Sequence, residues 1–142
     1  ANGPAKATTV LVPSVNNGKQ APQTAKDSVS LWTNVTLFEK LQIGGGVFYF
    51  SRVYGGYADN RSASQDTSGN ITVKPATTVL ARSVPGYTRF DARLGYDITE
   101  RVNLSVNVQN LTDKTYFTQA YASHYATIAP GRSAFATLSV RY

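Results

Sequence analysis

The side chains best equipped for chemistry in this sequence are aromatic and cationic rather than nucleophilic. The stretch Tyr121-Ala-Ser-His-Tyr125 carries two phenol rings and the sole histidine, His124. Phenol rings stack on flat ligands, and an imidazole donates a hydrogen bond or becomes cationic near neutral pH. Arg52, Tyr54, Tyr87 and Arg89 form a second set at two separated points of the chain. A guanidinium pairs in two-pronged fashion with anionic oxygens. This is binding chemistry. The plainer account of 121–125 is a solvated loop tip, and Arg89 can simply pair with Asp91.

Catalysis finds no support. His124 has no serine or acid placed to complete a triad. Gly44-Gly45-Gly46 lacks the Lys and Ser/Thr of a phosphate loop. Cysteine is absent, which removes disulfides and thiolate metal sites. We expect no catalytic residue, no resident metal and no cofactor.

The elements that position these residues follow from composition and periodicity. The chain has 142 residues, 42% hydrophobic and 15% charged, with nine Tyr, one Trp and no Met. The net charge of +6 is spread along the chain without a basic run or a nucleic-acid motif, so nucleic acid is not an expected partner. No stretch approaches the roughly 18 apolar residues of a membrane helix. There is no signal segment and no initiating Met, so Ala1 reads as a cut into a longer chain or a processed end.

Alternation with period two dominates, as in strands exposed differently on two faces. Five segments show it: Val29 to Leu37, Leu41 to about Tyr54, Thr88 to Ile98, Val102 to Leu111, and Ser133 to Tyr142. One face carries Val29, Leu31, Val35, Leu41, Ile43, Val47, Phe90, Leu94, Tyr96, Leu104, Leu138 and Tyr142 and holds no charge at all. The other carries Arg52, Arg89, Asp91, Arg93, Asp97 and Arg141. Each segment has about the 9–11 residues that cross a bilayer when tilted, whereas soluble strands more often stop at about 5–6.

Connections alternate as well. Residues 38–40 and 99–101 are tight turns, while 58–86 and 118–130 are long, polar connections. Short turns at one end and long loops at the other describe an outer-membrane barrel. We therefore expect an all-β fold, an antiparallel transmembrane sheet with a polar lumen side. The ending Leu138, Val140, Tyr142 reads as a natural C-terminus at the periplasmic boundary. On that reading the tight turns are periplasmic, 58–86 and 118–130 are extracellular, and residues 1–27 are mostly extracellular loop. Five strands cannot close, since barrels need at least about 8, so the chain is part of something larger. Centring the turns on Glu39 and Glu100 places Trp32 opposite Gly46 (or Gly44 after a shift), Leu94 opposite Val106 and Arg93 opposite Asn107.

Three runs of residues carry a family resemblance. They are Val84-Pro-Gly-Tyr-Thr-Arg-Phe-Asp-Ala-Arg-Leu-Gly-Tyr, Asn107-Val-Gln-Asn-Leu-Thr-Asp-Lys-Thr-Tyr-Phe and Ala129-Pro-Gly-Arg-Ser-Ala-Phe. With Gly18-Lys-Gln-Ala-Pro and Ser30-Leu-Trp-Thr upstream, residues 17–142 resemble the C-terminal strands of TonB-dependent siderophore receptors, and the Pro-Gly-Arg-Ser element leans toward the catecholate branch. The resemblance implies a plugged barrel of about 22 strands, of which this chain supplies the last five. It implies import of a ferric siderophore across the outer membrane of a Gram-negative bacterium, with iron as cargo. The implied partners are the ferric siderophore, outer-membrane lipid, the rest of the barrel with its plug, and TonB through an N-terminal part outside this chain.

Under that reading Arg52, Tyr54, Tyr87, Arg89, Tyr121, His124 and Tyr125 are candidate ligand contacts. Asp91, Arg93, Asp97 and Arg141 are expected to bond the plug or the lumen, and Tyr96 and Tyr142 to form the aromatic girdle. The N-x-S/T triplets at Asn34, Asn60, Asn70 and Asn110 carry no glycosylation meaning in such a membrane. A passive porin-like barrel and a soluble β-sandwich binding module are the alternatives. The sandwich would need a second sheet to cover the uncharged face.

Overall fold

Alternating sequence becomes alternating structure. The computed structural model describes residues 9–75, 79–121 and 125–142. Among these there are eleven strands and no helix: β1 Ser28–Leu37, β2 Leu41–Phe50, β3 Val53–Asp59, β4 Ser62–Gln65, β5 Ile71–Lys74, β6 Val79–Val84, β7 Tyr87–Thr99, β8 Val102–Gln109, β9 Phe117–Ala120, β10 Ala126–Ile128 and β11 Ser133–Val140. The long ones form a single antiparallel sheet in the order β1-β2-β7-β8-β11. The short ones form three two-stranded ribbons, β3-β6, β4-β5 and β9-β10.

The register aligns like with like across the whole sheet. Val35, Ile43, Leu94, Val106 and Ala136 lie in one row, and Leu37, Leu41, Tyr96, Leu104 and Leu138 in another. On the opposite face, Asn34, Gly44, Arg93, Asn107 and Phe135 share a row. Leu94 opposite Val106, Arg93 opposite Asn107 and Trp32 opposite Gly46 are the pairs expected from the turn centres.

Among the described residues none covers the apolar face: Leu31 is 63% exposed, Leu94 48% and Leu138 61%. Conventional burial is confined to a few residues, of which Asp91, Ser105 and Asn110 are polar or charged. A soluble sheet puts its apolar face in the core. In this sheet the apolar face is the exposed one.

The turn end is tight. Lys40 N donates to Leu37 O at 3.3 Å, and the central residues Phe38 and Glu39 both have positive φ, 50° and 59°. That is the turn whose twist suits a hairpin, here built without the usual Asn-Gly. At the other turn, Thr99 Oγ1 accepts from Arg101 N and Val102 N at 3.3 and 3.1 Å, closing the chain back after a bulge between Asp97 and Thr99.

The strand ends depart from the simplest reading in three places. The second strand stops at Phe50 rather than running to Tyr54. Pro85-Gly86 interrupts its neighbour, since Pro has no N–H to give the ladder, and Gly86 lies against the Phe50 carbonyl too closely for a Cβ. Ser51 then exchanges hydrogen bonds with Asp27 instead. The fourth strand ends at Gln109, because Asn110 takes φ 53°. The fifth ends at Val140.

The stretch 58–86 is mostly ribbon rather than open loop, with the β4-β5 turn tied by Asp66. Its carboxylate accepts from the Asn70 side chain, Asn70 N and Ser68 N at 2.8–2.9 Å. The Asn70 side chain first, with these backbone amides, holds the Asp66 carboxyl below its ordinary value.

Trp32 lies flat over the glycine run, its Nε1 donating to Asn34 Oδ1 at 3.0 Å. A Cβ at Gly46 would collide with the indole ring. Gly46→Ala should therefore force the ring off the sheet and cost about 1–3 kcal/mol, as overpacking does. The unfolding midpoint of the refolded barrel should fall, and Trp32 emission should shift red.

Candidate functional site

The sequence-selected residues gather at the loop end in two adjoining clusters. The first is built on β7 and its neighbours. Tyr87, Arg89 and Asp91 project from alternate positions of one strand, so they share a face. Arg89 Nη2 pairs with Asp91 Oδ2 at 2.9 Å, and Arg89 Nη1 lies 3.4 Å from the Tyr116 hydroxyl. The guanidinium also sits 4.8 Å from the Phe48 ring centroid, attracted by the ring's negative face. Tyr87 stacks between Tyr116 at 4.0 Å and Phe50 at 5.3 Å.

Asp91 does more than hold Arg89. Its Oδ1 accepts from the backbone N of Asn110 at 2.9 Å, in a buried position. Asn110 in turn bonds Lys114 twice, accepting from Lys114 N at 3.0 Å and donating to Lys114 O at 3.0 Å. Asp113, also at positive φ, accepts from Arg132 N at 2.7 Å. The Asn-Leu-Thr-Asp-Lys run is thus a clamp that ends β8 and docks the 113–132 excursion onto β7.

The second cluster stands on the short ribbons. Tyr54 stacks on Tyr57 with centroids 5.5 Å apart. Arg52 is exposed, and its carbonyl accepts from the Gln20 side chain at 3.0 Å. Tyr121 and Tyr125 face each other at 4.3 Å at the end of the β9-β10 ribbon, with Tyr121 N bonded to Tyr125 O at 2.9 Å. Gly55 abuts the Ala120 carbonyl and Tyr121 backbone with no room for a Cβ, which joins the two ribbons. His124 lies outside the described residues.

Arg93, Asp97 and Arg141 lie apart from both clusters. Together with Gln42, Asn103 and Ser139 they line an open polar concavity of ≈ 760 Å³ at the turn end. Asn103 Nδ2 donates to Asp97 Oδ1 at 2.7 Å. Tyr96 is 47% exposed in the apolar row, and Tyr142 extends past the last strand fully exposed. Among the described residues there is no group of three or more potential metal ligands.

Sequence reasoning missed Phe48, Phe50, Tyr116, Tyr57 and Asn110. Phe48 and Phe50 were legible as even positions of β2 on the same face as Arg52. Asn110 was legible as an Asn at a strand end, a residue type that tolerates positive φ.

Comparison with known proteins gives these clusters their context. The family model described as "TonB dependent receptor-like, beta-barrel" matches residues 5–111. The chain belongs to this family. It is an all-β piece of a larger outer-membrane barrel of the Gram-negative type. It is 37% identical over 129 residues to a protein of Acinetobacter baumannii named "Probable TonB-dependent siderophore receptor PiuA", covering 91% of this chain and 14% of that protein. It is 38% identical over 125 residues to "Probable TonB-dependent receptor BfrD" of Bordetella pertussis, covering 88% and 15%.

The crystal structure of the siderophore receptor PiuA superposes with a TM-score of 0.69 at 36% identity, covering 91% of this chain and 15% of that one. The closed form of the E. coli ferric-catecholate import receptor Fiu superposes at 0.68, covering 89% and 16%; at 20% identity it speaks for the fold alone. This chain therefore spans about a seventh of the length of its relatives. The family is one of receptors, not of enzymes.

The clamp can be tested directly. Asp91→Ala leaves the buried Asn110 N–H without its acceptor and Arg89 without its carboxylate. The loss should be about 2–3 kcal/mol, seen as a lower urea midpoint for the refolded receptor, whereas Asp91→Asn, which keeps one acceptor oxygen, should lose less.

Proposed function

We propose that this chain is the closing, C-terminal part of the barrel of a receptor that imports a ferric siderophore across the outer membrane. One observation carries the reading: a chain of this family presents an uncharged, uncovered apolar face to one side and the charged, aromatic clusters to the other. The apolar rows suit lipid, with Tyr96 and Tyr142 as the aromatic girdle of the periplasmic boundary. The turns at 38–40 and 99–101 then lie on the periplasmic side, and the ribbons of 58–86 and 118–130 on the extracellular side.

In this arrangement the ligand arrives at the ribbons. Arg52, with its exposed guanidinium, and the paired rings of Tyr54, Tyr121 and Tyr125 are the contacts, and His124 lies beside them in sequence. Tyr87 and Arg89 stand one layer below. The nitrogens Nη1 and Nη2 of Arg89 are engaged by Tyr116 and Asp91, which favours a positioning part for it over direct capture. Asp91, and deeper toward the turns Arg93, Asp97 and Arg141, offer hydrogen bonds to the plug, and TonB would act through a segment beyond this chain. The iron is cargo, carried in by its chelator.

A passive barrel would admit solutes without energy. The receptor reading predicts that uptake of radioiron as its ferric siderophore stops when TonB is deleted from the host, while surface binding persists. Uptake that continues in the deletion strain would contradict it. Replacing Arg52 and Tyr54 together with Ala should weaken ferric-siderophore binding by about 10-fold, or ~1.4 kcal/mol.

A further inference from the structure

Tyr54 and Tyr57 are three residues apart, and in a regular strand they would face opposite sides. They share a face because β3 is bulged. Opposite β6, Tyr54 pairs with Ser83 and Gly56 with Arg82, leaving Gly55 as the extra residue. A bulge of this kind re-aims the side chains that follow it. Gly56 has φ 148°, a conformation reserved for glycine, and Gly55 is pressed against β9. The bulge is thus fixed from both sides.

The segment before β1 completes a hollow on this face. Gln23 N donates to Tyr54 O at 2.7 Å, and Gln20 Nε2 donates to Thr24 O at 2.6 Å and Arg52 O at 3.0 Å. This anchoring brings Lys19 Nζ to 4.8 Å from the Tyr57 ring centroid. Lys19, Gln20, Lys26, Tyr54, Tyr57 and Ala81 line an open hollow of ≈ 660 Å³. It combines two ammonium groups with two stacked phenol rings. Ring faces take a flat aromatic group, and ammonium groups take anionic oxygens.

We propose that this bulge-built hollow is a subsite for an aromatic, negatively charged arm of a ferric chelate. The arm's ring would lie against the Tyr54–Tyr57 pair, and its oxygens would face Lys19 and Lys26. The proposal rests on the uptake reading above and adds to it residues, Lys19, Lys26 and Tyr57, and a ligand chemistry. A neutral, non-aromatic chelate gains nothing from either half of the site.

The test uses the full-length receptor in detergent, titrated with two probes: ferric tris-catecholate, aromatic and anionic, and ferric tris-acetohydroxamate, neutral and without rings. The wild type should prefer the first. Lys19→Gln with Lys26→Gln, and separately Tyr57→Leu, should each weaken the catecholate probe about 10-fold. Each should leave the hydroxamate probe and the heat-modified gel mobility of the barrel unchanged. Lys19→Arg should retain binding.

Equal loss for both probes, or no loss for either, would overturn the subsite and reduce Lys19 to a packing partner of Tyr57. So would a wild type that takes up a ferric siderophore yet shows no preference between the probes. A folded wild type that binds and takes up no ferric chelate of any kind would instead overturn the uptake reading itself.

Discussion

A sheet in hydrocarbon has to satisfy every backbone N–H and C=O within itself, because no water is present to take an unmade bond. The five-stranded ladder meets that demand between its strands and leaves the outer edges of β1 and β11 to further strands, and its register decides everything placed upon it. Once Leu94 pairs with Ile43 and Val106, one face of the sheet is left without a charge, and every charge falls on the other, beside Trp32, Phe48, Phe50 and Phe135. A slip of one residue would turn Arg93 and Asp97 onto the uncharged face. The uncharged face and the fixed register are therefore two statements of the same constraint. The tight turns at 38–40 and 99–101 hold it from one end, at the expense of positive φ at Phe38 and Glu39.

The aromatic and cationic clusters gather where the ladder ends. At Ser51, Pro85-Gly86 and Asn110 the strands leave the sheet, and the chain is free to build ribbons whose twist and bulges are not dictated by lipid. Asp91 links the two regimes. It belongs to a sheet strand by its backbone, and its carboxylate holds both Arg89 and the Asn110 turn from which the 113–132 excursion departs. The excursion reaches back through Ala120 to Gly55, so the tyrosines of separate ribbons lie near one another.

The sheet was legible in the sequence because period-two alternation, strand length and turn spacing are local properties. Two centred turns were enough to place Trp32 over Gly46 and Leu94 beside Val106. The loop end was less legible, and for a specific reason. Tyr57 is out of phase with Tyr54 in any unbroken strand, and only a bulge at Gly55-Gly56 brings the rings together. Stops at Phe50 and Gln109 likewise depend on partners distant in sequence, Asp27 and Phe90 among them. The Asn-Leu-Thr-Asp-Lys run was visible as a family feature, and its physical purpose emerged only with the hydrogen bonds of Asn110.

The account stands on which face of the sheet meets lipid. The direct measurement is a spin-label scan along β7 in the full receptor, cysteine-free elsewhere and reconstituted in bilayers, reading accessibility to oxygen against a water-soluble nickel complex. Labels at Phe90→Cys, Leu94→Cys and Tyr96→Cys should collide with oxygen, which concentrates in lipid. Labels at Arg93→Cys, Gly95→Cys and Asp97→Cys should collide with the nickel complex or be shielded from both. An accessibility pattern without period two, or with its phase reversed, would contradict the account.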